Sequence, residues 1–539
     1  MPAPSRSSAT SSARRCSGER CPRAARGAAA PSDPPVGLRA TYRHPRARDY
    51  TAAGGPWDLP SLDTLLTDAG RGARHALVVD DSVGVRLDGR ALEDAVARVA
   101  GGLRGLGVRR GDVVAWQAPN WWEIVVLYRA AWRLGAISAP VHHLAGGTDV
   151  DAMLGAVDPK VWLTRDDIRT DGGRFADLLA GEPVTTSAAR PADLAAVVFT
   201  SGSTGGPKAA LHTQRSLAYK ARIMVATHGL RRRDAILMPA PLAHVSGLLN
   251  GVLVPGAGAF ATHLVERWDA GRALDIIERE GITFMVGPTT FFVGLMHDPS
   301  FSPAKVASLR LVSSGGGGVS AAFVEEASTA LGARVKRTYG STEAPTIATS
   351  GPRDSRRRAA ETDGRAIGAV DLRITDPGTG KAVPAGERGE LWVQGPELFS
   401  GYVDAEQTRD AVTRGWLRTG DLATLSPDGW LTIVGRIKDV IIRAGENISA
   451  AEVEAVLEAH PAVRQAVAVG FPDERLGERV CAFVVGAPDF DLDACRAWFE
   501  ARGVARFKTP ERIEVLDALP LLAAGKPDRA ALRARAAGA

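Results

Sequence analysis

A layered α/β fold, with a large N-terminal domain of parallel αβ subdomains, a β-rich subdomain and a small α+β C-terminal domain, is predicted by three features of this 539-residue sequence. Short apolar runs alternate with amphipathic helical stretches through most of the chain. After Gly389 that rhythm gives way to shorter, hairpin-like strands. A fresh helix-capping signal, Ser449-x-x-Glu452, then opens the last group of elements.

Taken in order, residues 1–48 are rich in Ala, Arg, Ser and Pro without apolar periodicity and read as a disordered basic tail, with order beginning near Trp57. Leu92, Val96, Val99, Leu103 and Leu106 recur three and four apart and predict an amphipathic helix. Residues 112–116 predict a strand, and Asn120 opens a second helical pattern reaching Trp132. Further strands are expected at 160–163, 195–199, 282–286 and 309–312, with helices between them. The segments 422–425 and 430–434 flank Ser426-Pro-Asp-Gly429, whose Asp-Gly pair predicts a hairpin turn. The expected division is a tail (1–48), a large domain (49–434) and a small domain (435–539).

Composition removes several function classes. The formal charge is +5, yet residues 1–48 hold ten arginines against two acids, which leaves the rest slightly acidic and without a basic nucleic-acid face. The most apolar stretch, 248–265, is interrupted by Asn250, Pro255, Thr262 and His263, so no membrane-spanning helix is expected. Four cysteines make no disulfide framework. Cys481 and Cys495 read as small buried hydrophobes, Cys16 and Cys21 lack partners at zinc spacing, and this usage fits a reducing cytoplasm.

The most informative segment runs from the strand at 195–199 into Thr200-Ser201-Gly202-Ser203-Thr204-Gly205-Gly206-Pro207-Lys208. Glycines let backbone N–H groups approach an anion, hydroxyls add donors, and Lys208 adds charge, so the loop suits a polyphosphate. It is not a Walker P-loop, because Pro207 replaces the glycine before the lysine and Ala209 the magnesium-binding hydroxyl.

The loop resembles the signature of the adenylate-forming superfamily, and further matches follow in that family's order. They are Tyr339-Gly340-Ser341-Thr342-Glu343, the stretch Gly389-Glu-Leu-Trp-Val-Gln-Gly395 followed by Gly401-Tyr402, then Trp416-Leu-Arg-Thr-Gly-Asp421, Gly435-Arg436-Ile-Lys438-Asp439, and Gly525-Lys526. The resemblance runs from about residue 57 to the end and implies an ATP-dependent acid–CoA ligase of the acyl-CoA synthetase branch. It implies that Lys526 bridges the carboxylate and the α-phosphate, that Glu343 with Thr204 holds Mg²⁺, and that Asp421 and Arg436 bind the ribose. Gly315, Gly316 and Gly317 match the turn lining adenine and the acyl pocket, where His244 also sits. Lys438 matches the hinge of a mobile small domain, and Ala444, Gly445 and Glu446 a loop that lines a CoA tunnel once that domain has turned.

Departures are visible too. Gly317-Gly318 replace a common Ala-Pro, Ala444 replaces a common glycine, and only 36 residues (164–199) separate Leu163 from Thr200, which implies a trimmed αβ piece. Leu242-Ala243-His244 offers no acid for an α-amino group, which argues against amino-acid adenylation. Asn120-Trp121-Trp122-Glu123 resembles bacterial ligases for medium-chain and cyclohexane-type acids, and Val286, Phe291 and Phe292 suit an apolar substrate. The expected partners are such a carboxylic acid, ATP and CoA, with no nucleic acid and no membrane span; the resemblance admits a homodimer. Aryl-CoA ligation, loading of a carrier protein, and a non-catalytic nucleotide-binding remnant are the alternatives. His142-His143 has no metal partners in the sequence pattern.

Overall fold

The computed structural model describes residues 37–170, 172–200, 207–444, 446–522 and 525–538. Among these, the strands form three sheets. One runs parallel through Val161–Leu163, Val113–Gln117, Ile137–Val141 and Leu194–Thr200, and ends on the antiparallel strand Lys208–Thr213. A larger sheet has a parallel core of Arg334–Tyr339, Leu311–Gly315, Phe284–Gly287, Ala235–Met238, Ala261–Leu264 and Ala76–Asp80. Through Ala348–Thr349 and Gly364–Ala366 it continues into antiparallel strands that include Gly389–Gln394, Trp416–Leu425 and Trp430–Arg436. The third sheet begins at Val440, just past the short turn Ile437–Asp439.

The helices follow the apolar spacing. Gly89–Gly105 is capped by the Asp88 carboxylate and buries Leu92, Val96, Val99 and Leu103. Trp122–Arg133 lies between layers, with Trp116 edge-on to Tyr128 and Trp121 buried. Its buried charges are paired: Arg133 with Asp63 at 3.1 Å, Glu123 with Arg169 at 2.9 Å. Unpaired, each would be a large desolvation cost in this apolar layer. Among the 36 residues after Leu163, the described ones form two short helices, Arg165–Arg169 and Arg174–Leu179, a connection, and most of the strand Leu194–Thr200. No described helix is long and apolar enough to cross a membrane, and Cys481 and Cys495 are buried and unpaired.

Two expectations need correction. The tail does not extend to residue 48: Thr41 and Tyr42 donate backbone bonds to the Ser400 carbonyl, Arg46 pairs with Asp371 at 2.7 Å, and a helix begins at Ala47. His44, Tyr50 and Trp57 pack together there, Trp57 edge-on to the other two rings, so order comes from pairing and aromatic packing with no helical periodicity to betray it. The capping box is only half made. Ser449 accepts from the Glu452 amide, whereas the Glu452 carboxylate turns away to Lys508 at 2.5 Å.

Burial also sets how stability responds to pH. His44, His212 and His263 are buried, and loss of solvation pushes each from 6.5 down to about 4. Unfolded, they take protons below 6.5; folded, they resist until about 4. Their contribution is therefore intact above pH 6.5 and lost as pH falls through that window, at about 1.4 kcal/mol per pH unit each. Glu458, raised to about 7 by burial and by Glu454, acts in the opposite sense, as do Asp363, Glu454 and Glu123, which burial also raises. The urea midpoint is expected to fall between pH 7 and 5; a level midpoint would contradict this account.

Candidate active site

The loops after the parallel strands Leu311–Gly315 and Arg334–Tyr339 converge with the turn that carries Lys526. The strand Lys208–Thr213 pairs with Leu194–Thr200, placing Thr200 opposite Lys208. Ser201, Gly202, Ser203, Thr204 and Gly205 lie outside the described residues. Along its other edge, that strand exchanges backbone bonds with 400–403, among them Leu211 N–H to the Gly401 carbonyl. This brings the Lys208 ammonium 5.3 Å from the Tyr402 ring centroid. The Tyr402 hydroxyl donates to Glu343 Oε1 at 2.5 Å, and burial with the adjoining carboxylate pushes its phenol far above the ordinary range.

Glu343 stands in the tight loop after the strand Arg334–Tyr339. The Ala344 amide donates to the Ser341 hydroxyl, Gly340 packs against the Thr346 backbone, Thr342 is buried, and the Phe399 amide donates to the Glu343 carbonyl. Tyr339, at the strand's end, donates its hydroxyl to Asp421 Oδ2. Asp421 is buried on the strand Trp416–Leu425, directly across from Arg436, whose Nε donates to Oδ1 at 2.5 Å. Each carboxylate oxygen keeps a lone pair for one more donor. Asp363, which sequence reading passed over, lies near this carboxylate; burial raises it despite Arg337, and Asp421 adds to the rise.

Lys526 joins these groups from the C-terminal turn. Its Cε lies 3.0 Å from where a Cβ on Gly316 would stand. Burial and Arg436 lower its ammonium's proton affinity, while Asp421 and Glu343 pull the other way. Gly316 has φ +85°, a conformation only glycine adopts freely. Gly316→Ala is expected to strain that turn and displace Lys526, reducing pyrophosphate exchange roughly tenfold; wild-type exchange would show that the contact is unimportant. Gly315 closes its strand against the Thr338 carbonyl, and Gly317 is open on all sides.

His244 heads the short helix Val245–Gly247 in the same region, and burial, Lys526 and His142 bring it down to about 4, so it is neutral near pH 7. His142, set aside on sequence grounds, thus belongs to this neighbourhood; it stacks on His143 at 4.6 Å. The loop carrying His244 is tied down by residues whose role no local pattern reveals. Asn120 donates to the Met238 and Ala240 carbonyls and accepts from the Leu242 amide, and Tyr128 donates to the Leu242 carbonyl. Phe291 stacks on Trp268 at 4.6 Å, close to Gly525. Phe292 points to a different core cluster, against Phe323, and does not join that wall.

The elements expected to serve CoA lie elsewhere. Lys438 is exposed in the turn Ile437–Asp439. Ala444 sits at a hairpin tip with φ +50°, its amide bonded to the Leu476 carbonyl, and Glu446 is exposed. Gly445 lies outside the described residues. Among the described residues, no hydrogen bond joins Ala444 or Glu446 to Lys526, Glu343 or Asp421. Nor do the described residues include a His, Cys, Asp and Glu grouping able to hold a metal unaided.

Comparison with known proteins identifies the family. Residues 67–403 match the model of the AMP-binding enzyme family, and residues 452–526 that of the AMP-binding enzyme C-terminal domain. The chain is 30% identical to a medium-chain fatty-acid–CoA ligase of Escherichia coli (strain K12), over 92% of this chain and 93% of that one. It is 33% identical to a feruloyl-CoA synthase of Amycolatopsis sp, over 86% and 97%. ATP-bound MatB from Rhodopseudomonas palustris superposes with a TM-score of 0.81 at 27% identity, covering 88% of this chain and 99% of that one. The chain belongs to the AMP-binding enzyme family, in the acyl-CoA synthetase branch of the adenylate-forming enzymes, and is an ATP-dependent, AMP-forming acid–CoA ligase.

Proposed function

We propose that the protein activates a hydrophobic carboxylic acid, medium-chain aliphatic or alicyclic, to an acyl-adenylate and then passes the acyl group to CoA. The observation that carries this reading is Lys526 over Gly316, within electrostatic reach of Asp421, Arg436, Glu343 and His244. A carboxylate and a triphosphate repel, so their reaction needs fixed positive charge where the new bond forms. Lys526 supplies it, Lys208 and the loop from Thr200 to Gly205 hold the phosphates, and Asp421 with Arg436 holds the ribose. Neutral His244 lets an apolar acid approach without facing a second buried charge.

Glu343 is a single half-buried carboxylate with one oxygen bonded to Tyr402. Such a donor set fits Mg²⁺, which takes most of its ligands from phosphate and water, and Glu343 with Thr204 would hold it. When bound, the ion neutralises charge on the phosphates. After adenylation, rotation about Lys438 exchanges Lys526 for Ala444, Gly445 and Glu446, which line the path of the CoA thiol.

Aryl acids are the second reading, favoured by the Trp268–Phe291 stack, which offers a planar substrate an aromatic wall. Mass spectrometry of products from ATP, Mg²⁺ and a mixed acid panel, with and without CoA, tests both. Medium-chain or alicyclic acyl-CoA with AMP supports the first reading, and aryl-CoA the second. Accumulated acyl-AMP that ignores CoA would point to carrier-protein loading, and absence of AMP with every acid would overturn catalysis.

A further inference from the structure

The turn that carries Lys526 rests on the large domain's helix Thr289–Met296. The Thr290 hydroxyl donates to the Gly525 carbonyl at 3.0 Å, spanning 235 positions of sequence. Gly525 has φ +77°, and a Cβ there would lie 3.3 Å from Pro288 Cγ and 3.4 Å from the Phe291 ring. Phe291 is buried and backed by Trp268. The turn also closes on itself: the Leu522 amide donates to the Lys526 carbonyl at 2.7 Å, the Gly525 amide to the Leu522 carbonyl at 2.8 Å, and Leu521 bridges to Pro527.

A threonine in the first turn of a helix commonly spends its hydroxyl on nearby backbone. Here it reaches across to another domain, to the carbonyl immediately before Lys526. Lysine is long and flexible, so the direction of its ammonium depends on how firmly the backbone beneath it is held.

We propose that Thr290 is a positioning residue for adenylate formation, its hydroxyl, together with Pro288 and the Phe291 ring, seating the Gly525–Lys526 turn so that the ammonium reaches the space over Gly316. The contact serves only the arrangement in which Lys526 is in the site, and it is released when the small domain turns for thioester formation. The proposal rests on the reading of Lys526 and of domain alternation given above. Valine at this position keeps the shape and removes the donor, leaving the Gly525 carbonyl without its partner.

The test compares Thr290→Val, Thr290→Ser and Lys526→Ala in two assays: pyrophosphate exchange with acid and ATP, and thioester formation from supplied acyl-AMP and CoA. For Thr290→Val, the expected result is an exchange kcat lowered about tenfold with KM for acid and ATP little changed and thioester formation intact. Thr290→Ser is expected to restore exchange. Should the valine variant fail to fold, Thr290→Ala is read by the same criteria. An unchanged exchange kcat, an equal loss in both assays, a change confined to the acid's KM, or failure of serine to restore activity each overturns the proposal. Loss of exchange in Lys526→Ala with full exchange in Thr290→Val overturns the seat alone. Full exchange in Lys526→Ala overturns the lysine reading and the seat with it.

Discussion

Lys526→Ala is expected to depress pyrophosphate exchange by about 10²-fold or more, on the scale of removing one donor aimed at transition-state charge. The lysine's position makes the loss specific to one step. Its ammonium is half-buried over Gly316, influenced by Arg436, Asp421 and Glu343, and held there by a turn that bonds to Thr290. Capture of supplied acyl-AMP by CoA is expected to survive, because under the proposed alternation that step uses the other arrangement of the small domain. Measuring both half-reactions on one preparation decides the matter: equal losses would contradict a lysine that acts in adenylation alone.

Asp421→Ala is expected to impair both half-reactions, since ATP and the acyl-adenylate carry the same ribose. The buried carboxylate accepts from Tyr339 and from Arg436, and in the proposed site its remaining lone pairs serve the ribose hydroxyls. Hydrogen bonds to a charged group contribute about 1.5–3 kcal/mol, so KM for ATP should rise by about 10- to 100-fold. Alanine also leaves the Tyr339 hydroxyl and the Arg436 guanidinium without their partner, which adds to the loss. Asp421→Asn keeps an acceptor and should fall between the two. ATP titrations of initial rate give the result, and an unchanged KM in the alanine variant would remove Asp421 from the nucleotide site.

Much of this was legible before any coordinates. The strands around Val113–Gln117, Val161–Leu163 and Leu194–Thr200 and the helix Gly89–Gly105 follow from period and apolar runs, because burial on one face or between two layers imprints directly on neighbouring residues. The Tyr339–Glu343 segment, Asp421, Arg436 and Lys526, which the structure brings near one another, each stand in a short contiguous pattern of the sequence. What decided the order of residues 41–57 was different, since Thr41 and Tyr42 meet Ser400 and Arg46 meets Asp371 across hundreds of positions. The bonds from Asn120 and Tyr128 to the loop before His244, the hydroxyl of Tyr402 on Glu343, and that of Thr290 on Gly525 are of the same kind. Sequence by itself determined which chemical groups the protein possesses and which local elements carry them. Only the tertiary structure decided which groups meet, because a hydrogen bond between distant segments depends on how whole layers pack and leaves no periodic trace in either segment.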